Sequence, residues 1–312
     1  MKNNFKLFLL IAFISFFEIT FSQRIAERLG YTKDAKLLII HADDLGVSHS
    51  ENLASIKAME EGSVNSASIM VPCPWFPEIA NYAKHHTDMD FGLHLTLTSE
   101  WKYYKWGPSY KSDSMASYRN EQGYFYDNVS EVVSKANPDF LKAELSTQIR
   151  TALNAGIDVT HLDAHMGAVM ATEGFLETYI EVGHEFKVPV LLSKGMPALK
   201  SSKIRAMLTD KNVILDAIIS ASPNDFEEGM EGYYSTTINE LEPGITCLLI
   251  HTAYDNQEMQ GVTIDHPNWG AAWRQADFDF FTSKKCADLL KENEIVLITW
   301  REIRDKITRS QD

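Results

Sequence analysis

The sequence predicts an α/β fold: a distorted or incomplete (β/α) barrel of about seven parallel strands in a single domain. Three observations predict it. Short apolar runs alternate with helix-period segments, the pattern of parallel strands joined by crossover helices. Several of those runs stop abruptly on Asp or His, which collects polar groups at the C-terminal ends of strands, where such barrels keep their chemistry. Residues 23–312 are enough for one large core, and no linker, low-complexity tract or internal repeat divides them.

The elements follow in chain order. Residues 1–22 place Lys2 and Lys6 before an apolar core, Leu7 to Phe17, and end at Phe21-Ser22. That is the outline of a secretory signal peptide cleaved after Ser22, and it predicts a secreted or periplasmic protein. A membrane anchor is the alternative, but the apolar core is shorter than the roughly 20 residues a spanning helix requires. No later segment is long and apolar enough to span. Strands are expected near residues 37–42, 64–71, 90–97, 157–163, 188–193, 246–251 and 295–299. Helical patterns lie at 50–61, 75–86, 139–155, 172–186 and 275–292. An aromatic-rich insertion at about 98–138, with WKYYKWGPSY and GYFYDN, interrupts the rhythm. Loops on this face of a barrel shape substrate binding, and sugar rings stack on Trp and Tyr. Folding of the loop over its own aromatics is the other reading. Trp269 and Trp273 invite the same two readings, and Arg274 either orients a carboxylate or pairs with Asp277.

Four strand ends carry the candidate chemistry. In KLLIIHADDLG the apolar run Leu38 to Ile40 stops on Asp43 and Asp44. Adjacent residues of a strand point to opposite faces, so this pair must lie where the strand ends and the chain turns, at Gly46. DFGLHLTLT places His94 inside a strand pattern, and GITCLLIHTAYD ends on His251 and Asp255. THLDAH sets His161, Asp163 and His165 at alternate positions, one face of a strand, although His161 and His165 at i and i+4 would also share a helix face. Taken singly, Asp44 reads as a cap or turn residue and His94 as a core histidine. Recurrence at the ends of the most apolar runs argues for one site, and Asp with His suggests a metal.

ADDLG, GLHLTLT and THLDAH, in this order, together with EGSVNSASIMV, resemble the YdjC-like family of carbohydrate deacetylases, which includes the chitooligosaccharide deacetylases. The similarity is strongest over residues 36–98 and 157–166. The resemblance implies one divalent metal ion, Mg or Zn, held by Asp44, His94 and His165. It makes Asp43 the general base and His251 the general acid, and it implies an acetylated sugar or oligosaccharide as substrate. Asp163 is a candidate to orient a ligand histidine; His161, His41 and Arg274 are further candidates to support the site or touch substrate. The chain departs from the family in having His41 before ADD where Asn is usual, MGAV after THLDAH, and HTAYD where His-Pro-Gly is often found. If His251 is the acid, its ring is expected to face the metal from the side opposite Asp43.

Composition narrows the partners. The net charge is −14, and removing residues 1–22, with two Lys and one Glu, makes it −15. Such a surface opposes nucleic acid and anionic membrane. Cys73, Cys247 and Cys286 are widely separated with no CxxC, so buried free thiols are the simplest expectation and one bridge the alternative. Two other functions fit part of the pattern. A noncatalytic carbohydrate-binding protein would have lost its acid or base, and both are present. A non-haem Fe(II) oxygenase uses two His and one carboxylate, but the strand and helix alternation argues against it.

Overall fold

The structure is a computed structural model that describes residues 25–310, so the signal peptide expected at 1–22 lies outside the described residues. Its strands are β1 (Lys36–Leu45), β2 (Ser66–Ile69), β3 (Phe91–Leu95), β4 (Leu162–Ala164), β5 (Ala217–Ser220), β6 (Gly244–Ile250) and β7 (Val296–Leu297). Every pairing is parallel, in the order β4-β3-β2-β1-β6-β5. β7 joins the start of β1 at Leu37 and Leu38, where β2, which pairs from His41 onward, does not reach.

The sheet curls until its ends meet through irregular chain. Leu191 N donates to Leu162 O at 2.9 Å and Leu215 N to Leu192 O at 2.8 Å, so the stretch 189–193 lies between β4 and the run that enters β5. The strand expected at 188–193 is therefore a closing segment with isolated bridges. β5 was not expected. Its apolar run is cut by Asp216, whose carboxylate accepts Ile245 N at 2.8 Å and so substitutes for ladder pairing. The single helix expected at 275–292 is two, Ala271–Phe281 and Lys284–Glu292. Ser283 divides them by accepting Cys286 N at 3.1 Å, a standard N-cap. The other expected helices stand at His49–Glu61, Phe76–His85, Leu141–Asn154 and Glu173–Phe186, the first and last capped by Ser48 and Thr172.

Strand parity divides the core into two. Leu38, Ile40 and Ala42 of β1 and Leu248 and Ile250 of β6 pack with the surrounding helices, including Ala54, Ala58, Ile79, Leu145 and Ile149. Leu37 and Ile39, with Ile245 and Cys247, belong to a second cluster with Leu191, Leu215, Ile298 and Trp300, which fills the inside of the barrel near its N-terminal end. Because side chains alternate with period two, the inward set of β1 continues as His41 and Asp43. Apolar side chains thus form the barrel floor, and polar ones occupy the layers above it. The three cysteines are buried and free. Among the described residues no helix is long and apolar enough to cross a membrane.

The insertion folds over some of its own aromatics and leaves others at the surface. Trp101, Trp106, Met115, Tyr118 and Phe125 are buried, with Trp106 Nε1 donating to Thr98 O at 2.7 Å, while Tyr103, Tyr110 and Tyr124 remain exposed. Trp273 is buried between Phe226 and the exposed Trp269, at ring separations of 4.9 and 5.0 Å.

Candidate metal centre

Two adjacent carboxylates enter one site because β1 ends irregularly. Its register with β2 shifts between Ala42 and Leu45, and Asp44 adopts φ +70°, a left-handed conformation that Asp tolerates better than most residues. Gly46 follows at φ +93°, where an added Cβ would press on the Met70 carbonyl at 3.0 Å. The turn therefore brings Asp44 beside Asp43 instead of leaving it on the helix-facing side.

Asp44, His94 and His165 converge. Asp44 Oδ1 lies 3.4 Å from His94 Nε2 and 3.3 Å from His165 Nδ1, and all three residues are buried. Oδ1 is also a buried oxygen with no hydrogen-bond partner. An orphaned carboxylate oxygen facing two imidazole nitrogens is costly unless a cation or proton joins them. Ligand atoms about 2.1 Å from one tetrahedral ion stand about 3.4 Å apart, so these spacings suit a divalent metal such as zinc. Two other groups of three are close enough to consider: His41, His161 and Asp163, and Asp43, His94 and Asp163. Each contains a 2.7 Å contact to Asp163, a hydrogen bond already formed.

The supporting contacts select which atoms face the gap. Asp163 Oδ1 accepts His94 Nδ1–H at 2.7 Å, leaving Nε2 free. Glu100 Oε2 accepts His165 Nε2–H at 3.0 Å, leaving Nδ1 free. Arg274 takes the other oxygen of Asp44, Nη2 to Oδ2 at 2.7 Å, while its Nη1 pairs with the buried Glu51 at 2.8 Å and its Nε donates to Trp269 O at 2.6 Å. Arg274 thus orients a carboxylate and does not pair with Asp277, which accepts Tyr234 Oη and His251 N. Burial opposes charge on Asp44, yet Arg274 and then His165 hold its carboxyl well below the usual range. Burial likewise pulls His165 down, but Glu100 and Asp44 outweigh it and raise the ring to about 10.

Asp43 stands beside this trio. Its Oδ1 lies 3.1 Å from His41 Nε2 and 3.4 Å from Ser68 Oγ, and its Oδ2 lies 3.8 Å from His251 Nε2. Asp43 and His251 are therefore side by side, not across the centre from one another as the sequence suggested. Burial pushes His251 down to about 4, so its ring is neutral at neutral pH. His161 shares the inward parity of Asp163 and His165 but sits a layer deeper. It stacks on Trp300 at 5.2 Å and occupies the space over Gly92, where an added Cβ would overlap its ring. Asp255 lies outside the cluster, accepting from Gln260 at the surface.

Glu100 and Glu51 were missed. Glu100 opens the insertion and meets a histidine 65 positions later, which no periodicity announces. Glu51 reads as the third residue of a capping box after Ser48, and Ser48 Oγ does accept its N–H at 3.0 Å, but the side chain turns inward to an arginine 223 positions away.

Fold and cluster define a class: parallel α/β barrels with a buried carboxylate and two imidazoles, able to hold a divalent cation, at the strand ends. Within that class the chain belongs to the YdjC-like family, whose model, described as YdjC-like protein, matches residues 37–292. It is similar to a carbohydrate deacetylase of Thermus thermophilus, 28% identical over 286 residues, covering 90% of this chain and 98% of the relative. A carbohydrate deacetylase of Thermoanaerobacter pseudethanolicus is 25% identical over 266 residues, covering 85% and 98%. Among solved structures, a protein of Enterococcus faecalis provisionally described as a cellobiose-phosphate cleavage protein superposes with a TM-score of 0.70. It is 20% identical, and the match covers 86% of this chain and 99% of that one, a likeness of fold.

Proposed function

We propose that this protein is a metal-dependent hydrolase that removes acetyl groups from N-acetylated sugars or oligosaccharides. The observation that carries the reading is the buried, unpartnered Asp44 Oδ1 between His94 and His165, with the carboxylate of Asp43 alongside. The family and the curated relatives named carbohydrate deacetylase support it. Asp44, His94 and His165 would hold the cation, and two imidazoles with one carboxylate favour Zn over Mg. Such a cation supplies Lewis-acid chemistry, lowering the pKa of water from about 15.7 toward about 7 and polarising the acetyl carbonyl.

The chain's own residues do the rest. Asp43 accepts the proton of the attacking water. His251, neutral at the outset and 3.8 Å from Asp43, is placed to hold that proton at Nε2 and deliver it to the departing sugar nitrogen. Arg274 keeps Asp44 from turning its second oxygen inward. Tyr103 and Trp269 offer exposed aromatic faces on loops that Lys102 and Asp265 tie together at 2.5 Å. Sugar C–H faces stack on such rings. The pattern of residues 1–22 supports action outside the cytoplasm.

Acetate release from N-acetylglucosamine oligomers, sialylated glycans and acetylated plant polysaccharides, with and without chelator, tests the reading. Release from at least one of them, abolished by chelator and restored by added Zn²⁺ or Mg²⁺, is expected; release indifferent to chelator contradicts it. His251→Ala should cost turnover on amides far more than on activated esters, whose leaving groups need little protonation. Equal loss on both would assign His251 to binding or structure.

A further inference from the structure

His41 lies against both carboxylates flanking the site. Its Nε2 lies 2.7 Å from Asp163 Oδ2 and 3.1 Å from Asp43 Oδ1, and the ring is 1% exposed. Ionised carboxylates only accept, so Nε2 carries a hydrogen, which it donates to Asp163 while Asp43 Oδ1 stands in ion-pair range of the same nitrogen. Its Nδ1 lies 2.9 Å from Ser66 Oγ. Asp163, through its other oxygen, takes the Nδ1–H of His94 at 2.7 Å. A continuous chain of hydrogen bonds runs from Ser66 through His41 and Asp163 to His94, with Asp43 in ion-pair contact with His41.

We propose that His41 is a positioning residue that donates to Asp163 and pairs through the same nitrogen with Asp43, holding the base electrostatically and the metal-binding face of His94 through Asp163. For Asp43 this role rests on the reaction proposed above; for His94 it rests on the cation site alone. The charge balance agrees. His41 stands as a buried cation between Asp43 and Asp163, and Arg274 as another between Asp44 and Glu51, so each of these carboxylates has a cationic neighbour. The Asp163 and Asp43 contacts outweigh the burial of His41 and hold its ring protonated, raised to about 10. His161, 4.8 Å away edge-on, has an unpartnered Nε2 and is kept uncharged by burial first and the charge of His41 second.

The test is a cycle on the full chain, read by Zn²⁺ titration against a chromophoric chelator and by acetate release. His41→Phe keeps ring volume and removes both donors; His41→Leu is the second variant, and whichever folds carries the test. Zn²⁺ affinity should fall about 10- to 100-fold, the usual consequence of losing the partner of a ligand histidine. In an Asp163→Asn background the same change should cost no further affinity, because its route to His94 is already cut. At saturating Zn²⁺, kcat should fall with KM unchanged, and His41→Gln, which restores an N–H donor, should recover part of both losses. Undiminished Zn²⁺ affinity, or an equal loss in the two backgrounds, would overturn the proposal. A protein that binds Zn²⁺ as expected yet releases no acetate from any sugar would overturn the reaction and leave the His94 arm standing.

Discussion

Asp44→Asn is expected to lose bound cation and turnover together. The substitution removes the charge from the oxygen that faces His94 Nε2 at 3.4 Å and His165 Nδ1 at 3.3 Å, and it presents an amide to Arg274, which holds the other oxygen at 2.7 Å. Loss of a direct ligand should exceed the roughly 10- to 100-fold cost of losing a ligand's partner. Metal content of the purified variant and Zn²⁺ titration check it. A variant that keeps stoichiometric metal while losing activity would remove Asp44 from the ligand set.

Asp43→Asn should separate the base from the ligands. Metal content is expected near that of the unaltered protein, because Asp43 oxygens approach His41, Ser68 and His251 and not the free nitrogens of His94 or His165. Turnover should fall by about 10² to 10⁴, the usual reach of general base catalysis. That corresponds to about 3 to 5 kcal/mol in the barrel's transition-state stabilisation. Equal metal loss in the Asp43 and Asp44 variants would reject the division of labour.

What the sequence discloses of this site is its local part. The parity of β1 sets His41 and Asp43 above the apolar floor of Leu37 and Ile39, and that of the fourth strand stacks His161, Asp163 and His165; both follow from period two alone. The need for a turn at Gly46 is equally local, since adjacent strand residues cannot otherwise share a face. Pairings set by tertiary closure are not disclosed. Glu100 with His165, Glu51 with Arg274 and the double reach of His41 each join segments whose distance is fixed only when the sheet curls. The same limit applies to the fold. An apolar run at 188–193 and a broken one near 217–220 look like one good strand and none, yet the first closes the barrel irregularly and the second pairs with β6, Asp216 completing the bonding that its side chain interrupts.

The central claim is that one divalent cation sits among Asp44, His94 and His165. Anomalous diffraction from crystals grown with Zn²⁺, recorded on both sides of the zinc absorption edge, tests it directly. A single strong peak about 2.0 to 2.2 Å from Asp44 Oδ1, His94 Nε2 and His165 Nδ1 is the predicted result. A peak instead among His41, His161 and Asp163, or none with Zn²⁺ in excess, would contradict it.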